Sequence, residues 1–195
     1  KTWQEIPTKE NVPVVFPQPT NVRFSYGTTK FMGEFLCSNF GEKYSIPTTV
    51  IRYHNIYGPR MGYKHVIPEF IMRIASGEDP FTLNGHSETR AFCYVEDAVE
   101  ATFQVADHSI CAGEIIHIGN SSEEITIGNL AKLVMREMDI DRKIDDLGRI
   151  PGSVSRRCPN TSKLKELTGF NSKVSLKNGI KRTTTWYLKT LSRSI

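Results

Sequence analysis

A tyrosine and a lysine stand four residues apart in the stretch RFSYGTTKFMGE, at Tyr26 and Lys30. In a helix this spacing places both side chains on one face, one turn apart. A phenol alone is a weak base at neutral pH, but a nearby ammonium stabilises the phenolate. Such a pair could move a proton on or off a substrate hydroxyl. The same spacing also occurs by chance on ordinary helix surfaces, so the rest of the chain has to decide between the two interpretations.

The chain around the pair alternates between helical and extended patterns. Segment 27–42 has apolar residues at helical spacing with Gly41 near its end, which predicts a helix. Segments 47–58 and 113–120 are apolar and rich in β-branched residues, which predicts strands buried on both faces. Strands that alternate with helices predict an α/β protein with parallel strands.

Shorter elements complete the pattern. The prolines of segment 1–22 predict an extended loop. Short strands are predicted at 81–85 and 90–95. Further helices are predicted at 66–77, 96–107, 126–138 with Thr126 as N-cap, 160–169 between Asn160 and Gly169, and 175–189.

Composition limits the class of protein. The 195 residues are 38% hydrophobic and 24% charged, with a net charge of +4. Lysines and arginines are mostly scattered, which argues against nucleic-acid binding and leaves an anionic small molecule as a ligand class. No apolar run approaches the roughly 20 residues that a membrane helix needs. We therefore expect neither nucleic acid nor membrane as a partner.

The cysteines indicate no metal. Cys37, Cys93, Cys111 and Cys158 are far apart, without a CxxC pair or clustered histidines, so no metal site is predicted. We interpret all four as reduced thiols, which is typical of a cytoplasmic protein.

Several motifs follow one another in a fixed order. They are PTNVRFSYGTTKFMGE, RYHNIYGPR, VIPEFI, the segment from Leu83 to Ala98, RRCPNTSKLKELTGF and LKNGIKRTTTWY. In this order the chain resembles the extended short-chain dehydrogenase/reductase family, in particular its NAD-dependent nucleotide-sugar epimerases, dehydratases and decarboxylases. The likeness covers nearly the whole chain.

The resemblance implies a role for ten positions. Tyr26 and Lys30 match the catalytic pair, and together with Tyr53 they match residues beside the nicotinamide end of the cofactor. The cofactor is NAD or NADP, which the family binds mostly through an N-terminal half. The residues that match substrate-binding positions are Asn55, Val66, Ile67, Pro68, Thr82, Arg90 and Arg157. The two arginines of this set match residues that grip a diphosphate, and guanidinium forks suit phosphate oxygens.

The chain departs from the family pattern at several places. His54 stands where a phenylalanine is common, Asn84 where an aromatic residue flanks the base, and Asn160 where an aspartate often caps a helix. GHSETRAF replaces a more usual GDGxxxRDF. The family's glycine-rich dinucleotide turn has no counterpart. The family's third catalytic residue is a Ser or Thr at the end of a strand before the Pro-rich loop. Thr2 is the nearest hydroxyl, but it is not assigned to this role, because no strand precedes it.

The resemblance implies a fold and an activity. Residues 1–60 would be the C-terminal part of a Rossmann-like NAD-binding domain, and residues 61–195 mainly a small α/β substrate-binding lobe from which strand 113–120 returns to the sheet. The implied activity is a nucleotide-sugar epimerase, with a nucleotide-diphosphate sugar as substrate. We expect this chain to be inactive alone, to need a missing N-terminal segment, and to form a homodimer at full length.

Two alternatives to the epimerase stay open. The first is a 4,6-dehydratase or UDP-glucuronate decarboxylase of the same family. The second is a non-catalytic module that binds sugar nucleotides or other proteins.

Overall fold

The computed structural model describes residues 5–16 and 20–192, with Arg23 described by its backbone alone. Within this part of the chain the helices are α1 (Ser25–Tyr44), α2 (Val66–Ala75), α3 (Val95–Asp107), α4 (Ile127–Glu137), α5 (Ser162–Thr168) and α6 (Leu176–Leu191). The strands are β1 (Val50–Tyr53), β2 (Ile56–Tyr57), β3 (Phe81–Leu83), β4 (Thr89–Ala91), β5 (Cys93–Tyr94), β6 (Ile115–Ile118), β7 (Glu124–Thr126), β8 (Ile144–Asp146) and β9 (Arg156–Arg157).

Most strand pairs are parallel, as the alternating pattern predicts. β1 pairs with β6 in a register that places Val50 opposite Ile115 and Tyr53 opposite Ile118. β2 pairs with β5 and β3 with β8, both in parallel. The remaining sheet has the order β7–β4–β9, antiparallel on one side of β4 and parallel on the other. The predicted α/β class is confirmed.

The strand predicted at 47–58 is in fact two strands. The break lies at His54 and Asn55, and Asn55 has a φ of 44°, a left-handed conformation that asparagine tolerates better than most residues. β1 before the break pairs with β6, whereas β2 after it pairs with β5. The strand predicted at 90–95 likewise divides into β4 and β5, so each of these segments joins two different sheets.

Two apolar cores hold the described elements together. The larger core lies between α2, α4 and α6 and contains the fully buried Ile67, Leu130 and Ile180. The smaller core lies around α3, α5 and β6 and contains Ile116 and Leu164, both at most 1% exposed. The buried residues of α2, α4 and α6 recur at helical spacing, so each of these helices turns one apolar face to the core.

Helix α1 packs differently from the others. Its only buried residue is Gly41, where an added Cβ would lie 2.2 Å from Thr48 Oγ1. The helix is fastened to β1 by an ion pair in which the Arg52 guanidinium donates to both carboxylate oxygens of Glu34 at 2.7 and 2.8 Å. Large apolar side chains along α1, including Phe31, remain exposed.

The predicted caps largely hold. Thr126 Oγ1 accepts the amide of Asn129 at the start of α4, as expected. The N-cap of α5 is Thr161, one residue after the predicted Asn160, although the Asn160 side chain accepts the amide of Ser162. Gly169 ends α5 with a φ of 73°.

The segment predicted as an extended loop, 1–22, includes residues 1–4 and 17–19, which lie outside the described residues, as does the unassigned Thr2. The described part is irregular and is held to the body of the molecule by a bridge between Thr8 and Pro159. Glu10 also accepts the amide of His117 at 3.0 Å. No helix of the described residues is long and apolar enough to cross a membrane.

Candidate active site

The structure places Tyr26 and Lys30 side by side in the first turns of α1. The Lys30 ammonium lies 5.3 Å from the centroid of the Tyr26 ring. Tyr26 is 73% exposed. Within the described residues, the Tyr26 hydroxyl has no hydrogen-bond partner. The pair is therefore arranged as the spacing predicts, with its polar groups open to a ligand.

Tyr53 lies at the end of β1, close to α3. Its hydroxyl donates to Thr102 Oγ1 at 2.9 Å, because the single Thr102 proton is used elsewhere. Thr102 Oγ1 in turn donates to the carbonyl of Ala98. These contacts fix the Tyr53 ring on the surface of α3, half exposed.

Four predicted substrate residues line one cleft. The cleft has a volume of about 370 Å³, and its wall includes Asn55, Val66, Thr82 and Arg90. These residues come from the β1–β2 break, the start of α2, β3 and β4. The fold thus brings together side chains that are up to 35 residues apart in sequence.

The Asn55 side chain is fastened to the cleft wall. The side-chain nitrogen donates to the carbonyl of Ala91 at 2.7 Å, and the backbone carbonyl of Asn55 accepts the amide of Cys93 at 3.2 Å. The left-handed backbone at Asn55 makes both contacts possible, because it turns the chain from β1 toward β5. The break in the predicted strand therefore positions a residue of the cleft.

Ile67 and Pro68 lie behind the cleft. Both are buried in the first turn of α2, and Ile67 belongs to the larger core. Val66, one residue earlier, is the member of this motif that reaches the cleft. The structure thus gives Ile67 and Pro68 a packing position beneath the cleft wall.

The two predicted arginines stand on neighbouring strands. Arg90 of β4 and Arg157 of β9 are partners in the parallel register. Arg90 lines the cleft, while Arg157 is exposed beside it. The pairing of β4 with β9 therefore supplies the juxtaposition that two distant sequence motifs suggested.

A buried carboxylate, Glu88, was missed by the sequence analysis. It is 6% exposed and lines the cleft. One oxygen accepts from Arg90 at 2.8 Å, and the other from Arg149 at 3.2 Å and from the Ser153 hydroxyl. Burial alone would raise the pKa of Glu88, but these hydrogen bonds lower it below its ordinary value. Glu88 therefore stays ionised and orients Arg90.

A second network, around Arg73, was also missed. The Arg73 guanidinium donates to Glu78 at 2.6 and 2.7 Å and to the Thr82 carbonyl at 2.5 Å. Glu78 accepts both the amide and the hydroxyl of Thr82. The hydrogen bond from Arg73 is the largest cause that lowers the pKa of Glu78, to about 2. The spacing of Glu69 and Arg73, four apart on α2, was the sequence signal for part of this network.

The site has side chains that suit a cofactor but none that suit a metal ion within the described residues. Among the described residues, no group of three or more His, Cys, Asp or Glu side chains could hold a metal ion. Tyr26 and Lys30 fit one end of a dinucleotide, because a phenol and an ammonium stand exposed on one helix face, and both can hydrogen-bond ribose hydroxyls.

Comparison with known proteins identifies the family of the chain. The sequence profile of the NAD dependent epimerase/dehydratase family matches residues 4–119. The chain is 34% identical over 193 residues to the UDP-N-acetyl-alpha-D-glucosaminuronate decarboxylase of Bacillus cytotoxicus, covering 93% of this chain and 58% of the relative. It is 30% identical over 177 residues to the dTDP-D-glucose 4,6-dehydratase of Homo sapiens, covering 87% of this chain and 49% of the relative.

A solved structure supports the same grouping. The UDP-glucose 4-epimerase of Thermotoga maritima with UDP-glucose superimposes with a TM-score of 0.83 at 28% identity. The match covers 97% of this chain and 59% of that structure. The chain thus spans about half the length of the relatives it matches.

Proposed function

This chain belongs to the NAD-dependent epimerase/dehydratase family, and we propose on that premise that the protein containing it alters the sugar of a nucleotide-diphosphate sugar. The observation that carries the proposal is the exposed Tyr26–Lys30 pair on α1, in a chain whose cleft also gathers four of the predicted substrate residues. In this proposal the Tyr26–Lys30 pair transfers protons, and the residues of the cleft bind the substrate.

Tyr26 is the proposed general base and acid. Its phenolate takes the proton of a sugar hydroxyl, and its phenol returns one at the end of the cycle. The Lys30 ammonium, 5.3 Å from the ring, stabilises the phenolate and can contact the cofactor ribose. NAD, when bound, supplies the hydride acceptor. Tyr53 would contact the same end of the cofactor.

The cleft is the proposed binding site of the nucleotide diphosphate. Arg90 and Arg157 would hold its phosphate oxygens, and Glu88 would keep the Arg90 guanidinium in place. Asn55, Val66 and Thr82 would contact the sugar and the nucleoside from the cleft wall. Ile67 and Pro68 support that wall from within the core.

Epimerisation is the reaction we favour, because it needs the fewest acid/base groups beyond the Tyr–Lys pair. Support comes from the likeness to the Thermotoga maritima epimerase. Decarboxylation is the second candidate, since the Bacillus cytotoxicus relative of 34% identity is named a decarboxylase. Analysis of the products formed from UDP-glucose and UDP-glucuronate would distinguish the two.

The decisive experiment replaces Tyr26 with phenylalanine in the full-length protein. Loss of a general acid/base typically costs a factor of about 10² to 10⁴ in turnover, so Tyr26→Phe should lower kcat by that factor while substrate affinity stays within about twofold. Tyr44→Phe, at the far end of the same helix, is the matched control. Near-normal turnover by Tyr26→Phe would show that the pair is an ordinary surface feature.

Arg90→Ala should give the opposite balance. A charge-assisted hydrogen bond contributes about 1.5 to 3 kcal/mol, so affinity for the nucleotide sugar should fall about tenfold to a hundredfold. Turnover at saturating substrate should change much less. Arg182→Ala, which removes an exposed arginine paired with Glu96 on another face, serves as the control. Unchanged affinity in Arg90→Ala, measured by calorimetry, would remove the cleft from the proposal while leaving the Tyr–Lys pair untouched.

A further inference from the structure

A second cavity runs along helix α4, and we call it the α4 groove. Its volume is about 730 Å³, within the range of small-molecule sites. It shares no lining residue with the cleft that contains Arg90. Its floor is apolar, formed by Met135, Ile140 and Ile144, whereas its rim is charged. The groove therefore offers a separate binding surface with its own chemistry.

Two cations stand on the α4 side of the groove. Lys132 and Arg136 are four residues apart, which places both on one face of the helix. Within the described residues, neither side chain has a hydrogen bond or an ion pair. Like charges at this spacing weaken a helix slightly. An anion placed between them would remove that repulsion and gain two charge-assisted contacts.

A third cation, Arg142, faces the groove from the segment that leads into β8. One of its nitrogens donates to the carbonyl of Glu78, which fixes the side chain. A guanidinium carries five N–H donors, so the remaining donors stay available to a ligand. The three cations come from two different elements, α4 and the segment after it. They could therefore contact one anion from two sides.

His86 forms part of the groove wall. Its ring packs on the first turn of α4, where a Cβ added to Gly128 would lie 2.2 Å from His86 Nε2. The backbone amide of Gly128 donates to the His86 carbonyl at 3.0 Å. The absence of a side chain at Gly128 therefore makes room for the imidazole at the groove wall.

Two carboxylates, Asp139 and Asp141, stand on the rim as well. Within the described residues, neither has a side-chain partner. Carboxylates repel a bare anion but accept hydrogen bonds from hydroxyl groups. The groove thus combines three cations that suit a phosphate with two acceptors that suit a hydroxylated body.

We propose that the α4 groove binds a phosphorylated sugar or polyol. The phosphate would lie between Lys132, Arg136 and Arg142. The hydroxyl groups of the ligand would donate to Asp139 and Asp141, and its carbon skeleton would lie on the apolar floor.

Calorimetry with glucose 6-phosphate tests the proposal, with glucose and inorganic phosphate as comparison probes. We expect saturable binding of glucose 6-phosphate with one molecule per chain, and at least tenfold weaker binding of either comparison probe. Lys132→Ala combined with Arg136→Ala should weaken binding of glucose 6-phosphate by at least tenfold. The matched control is Lys177→Ala with Lys181→Ala, which removes two exposed lysines at the same spacing from α6.

Two further variants locate the ligand. Asp139→Asn with Asp141→Asn should reduce the preference for glucose 6-phosphate over inorganic phosphate, and Arg90→Ala should leave binding unchanged. Equal binding of inorganic phosphate and glucose 6-phosphate would overturn the proposed ligand class. The site itself would be overturned by loss of binding in Arg90→Ala, by no effect of the α4 double variant, or by no saturable binding at all. A thermal melt confirms that each variant is folded before its binding is interpreted.

Discussion

Helices α1 and α6 are both long, but they are used in opposite ways. α6 spans 16 residues and buries Leu176, Gly179, Ile180, Thr183, Thr184 and Tyr187 against the larger core. α1 spans 20 residues and buries one glycine. Its exposed surface nevertheless carries phenylalanines at 31, 35 and 40, each at least 42% exposed.

The difference separates two kinds of helix. A helix that is apolar on several sides is normally covered on several sides, whereas an amphipathic helix needs one core. α6 buries its apolar face in the larger core of the described chain. We expect the apolar face of α1 to be covered by other polypeptide when the protein works, and we expect the Tyr26–Lys30 pair to stay open to ligand.

His54, directly after β1, and His117 of β6 meet edge to face. The rings of His54 and His117 are 4.4 Å apart, and His54 Nε2 and His117 Nδ1 are buried without a hydrogen-bond partner. Burial, followed by the charges of His117, Arg157 and Arg52, lowers the pKa of His54 to about 4. Burial also lowers the pKa of His117, against the opposing effect of Glu10.

Acid should therefore destabilise the pair β1–β6 more than the larger core around α4 and α6. This is the largest effect on stability that we expect. His54 is neutral in the folded state, while an unfolded histidine has a pKa near 6.5. Its contribution is present above pH 6.5 and is lost as the pH falls toward 4, by about 3 kcal/mol in total. Hydrogen exchange should show β1 and β6 opening before α4 and α6.

The variant His54→Phe isolates that effect. It keeps an aromatic ring and removes the titration, so the loss of stability between pH 6.5 and 4 should shrink by most of the 3 kcal/mol. Denaturant unfolding at pH 7 and pH 4 measures the change. An identical pH dependence in the variant and the parent protein would exclude His54 as the cause.

Glycine-to-alanine changes should sharpen the contrast between the two helices. On Gly179 of α6, an added Cβ would lie 2.0 Å from the Tyr57 hydroxyl oxygen and 2.9 Å from Tyr94. Gly179→Ala should therefore cost about 1 to 3 kcal/mol. On Gly33 of α1 nothing lies within 4 Å, so Gly33→Ala should stabilise the helix by up to about 1 kcal/mol. Equal effects of the two substitutions on thermal unfolding would contradict the packing described for α6.

The smallest effect should come from the exposed face of α1. Phe35 is 57% exposed, so Phe35→Gln should change the free energy of unfolding of this chain by less than about 0.5 kcal/mol. It should also reduce self-association, which sedimentation measures. A large loss of stability would mean that Phe35 has packing partners, and the contrast with α6 would fail.

Local pattern predicted the elements whose burial repeats regularly. The helices α2, α4 and α6 lie close to their predicted positions, and Thr126 caps α4 as expected. The break at Asn55 did not, because a β-branched run does not reveal one residue with a positive φ. The family was predictable from ordered motifs and is confirmed by its profile.

The candidate site was only partly predictable. Asn55, Val66, Thr82 and Arg90 were predicted from family motifs, and the fold brings them to one cleft. The partners of Glu88 were not found, because Arg149 and Ser153 are 61 and 65 residues away. A local sequence pattern cannot pair residues that are more than 60 positions apart. The charge balance of the cleft therefore becomes visible only in the three-dimensional structure.

The short strand β9 has a consequence for the proposed ligand. It is two residues long, and its register sets Arg157 beside Arg90, so two like charges are held next to each other by very little sheet. Under the proposed function, a diphosphate bound by both arginines would hold β9 against β4. Part of the binding free energy would then go into ordering segment 149–157. This segment would become more rigid when the cleft is occupied, even when no reaction takes place.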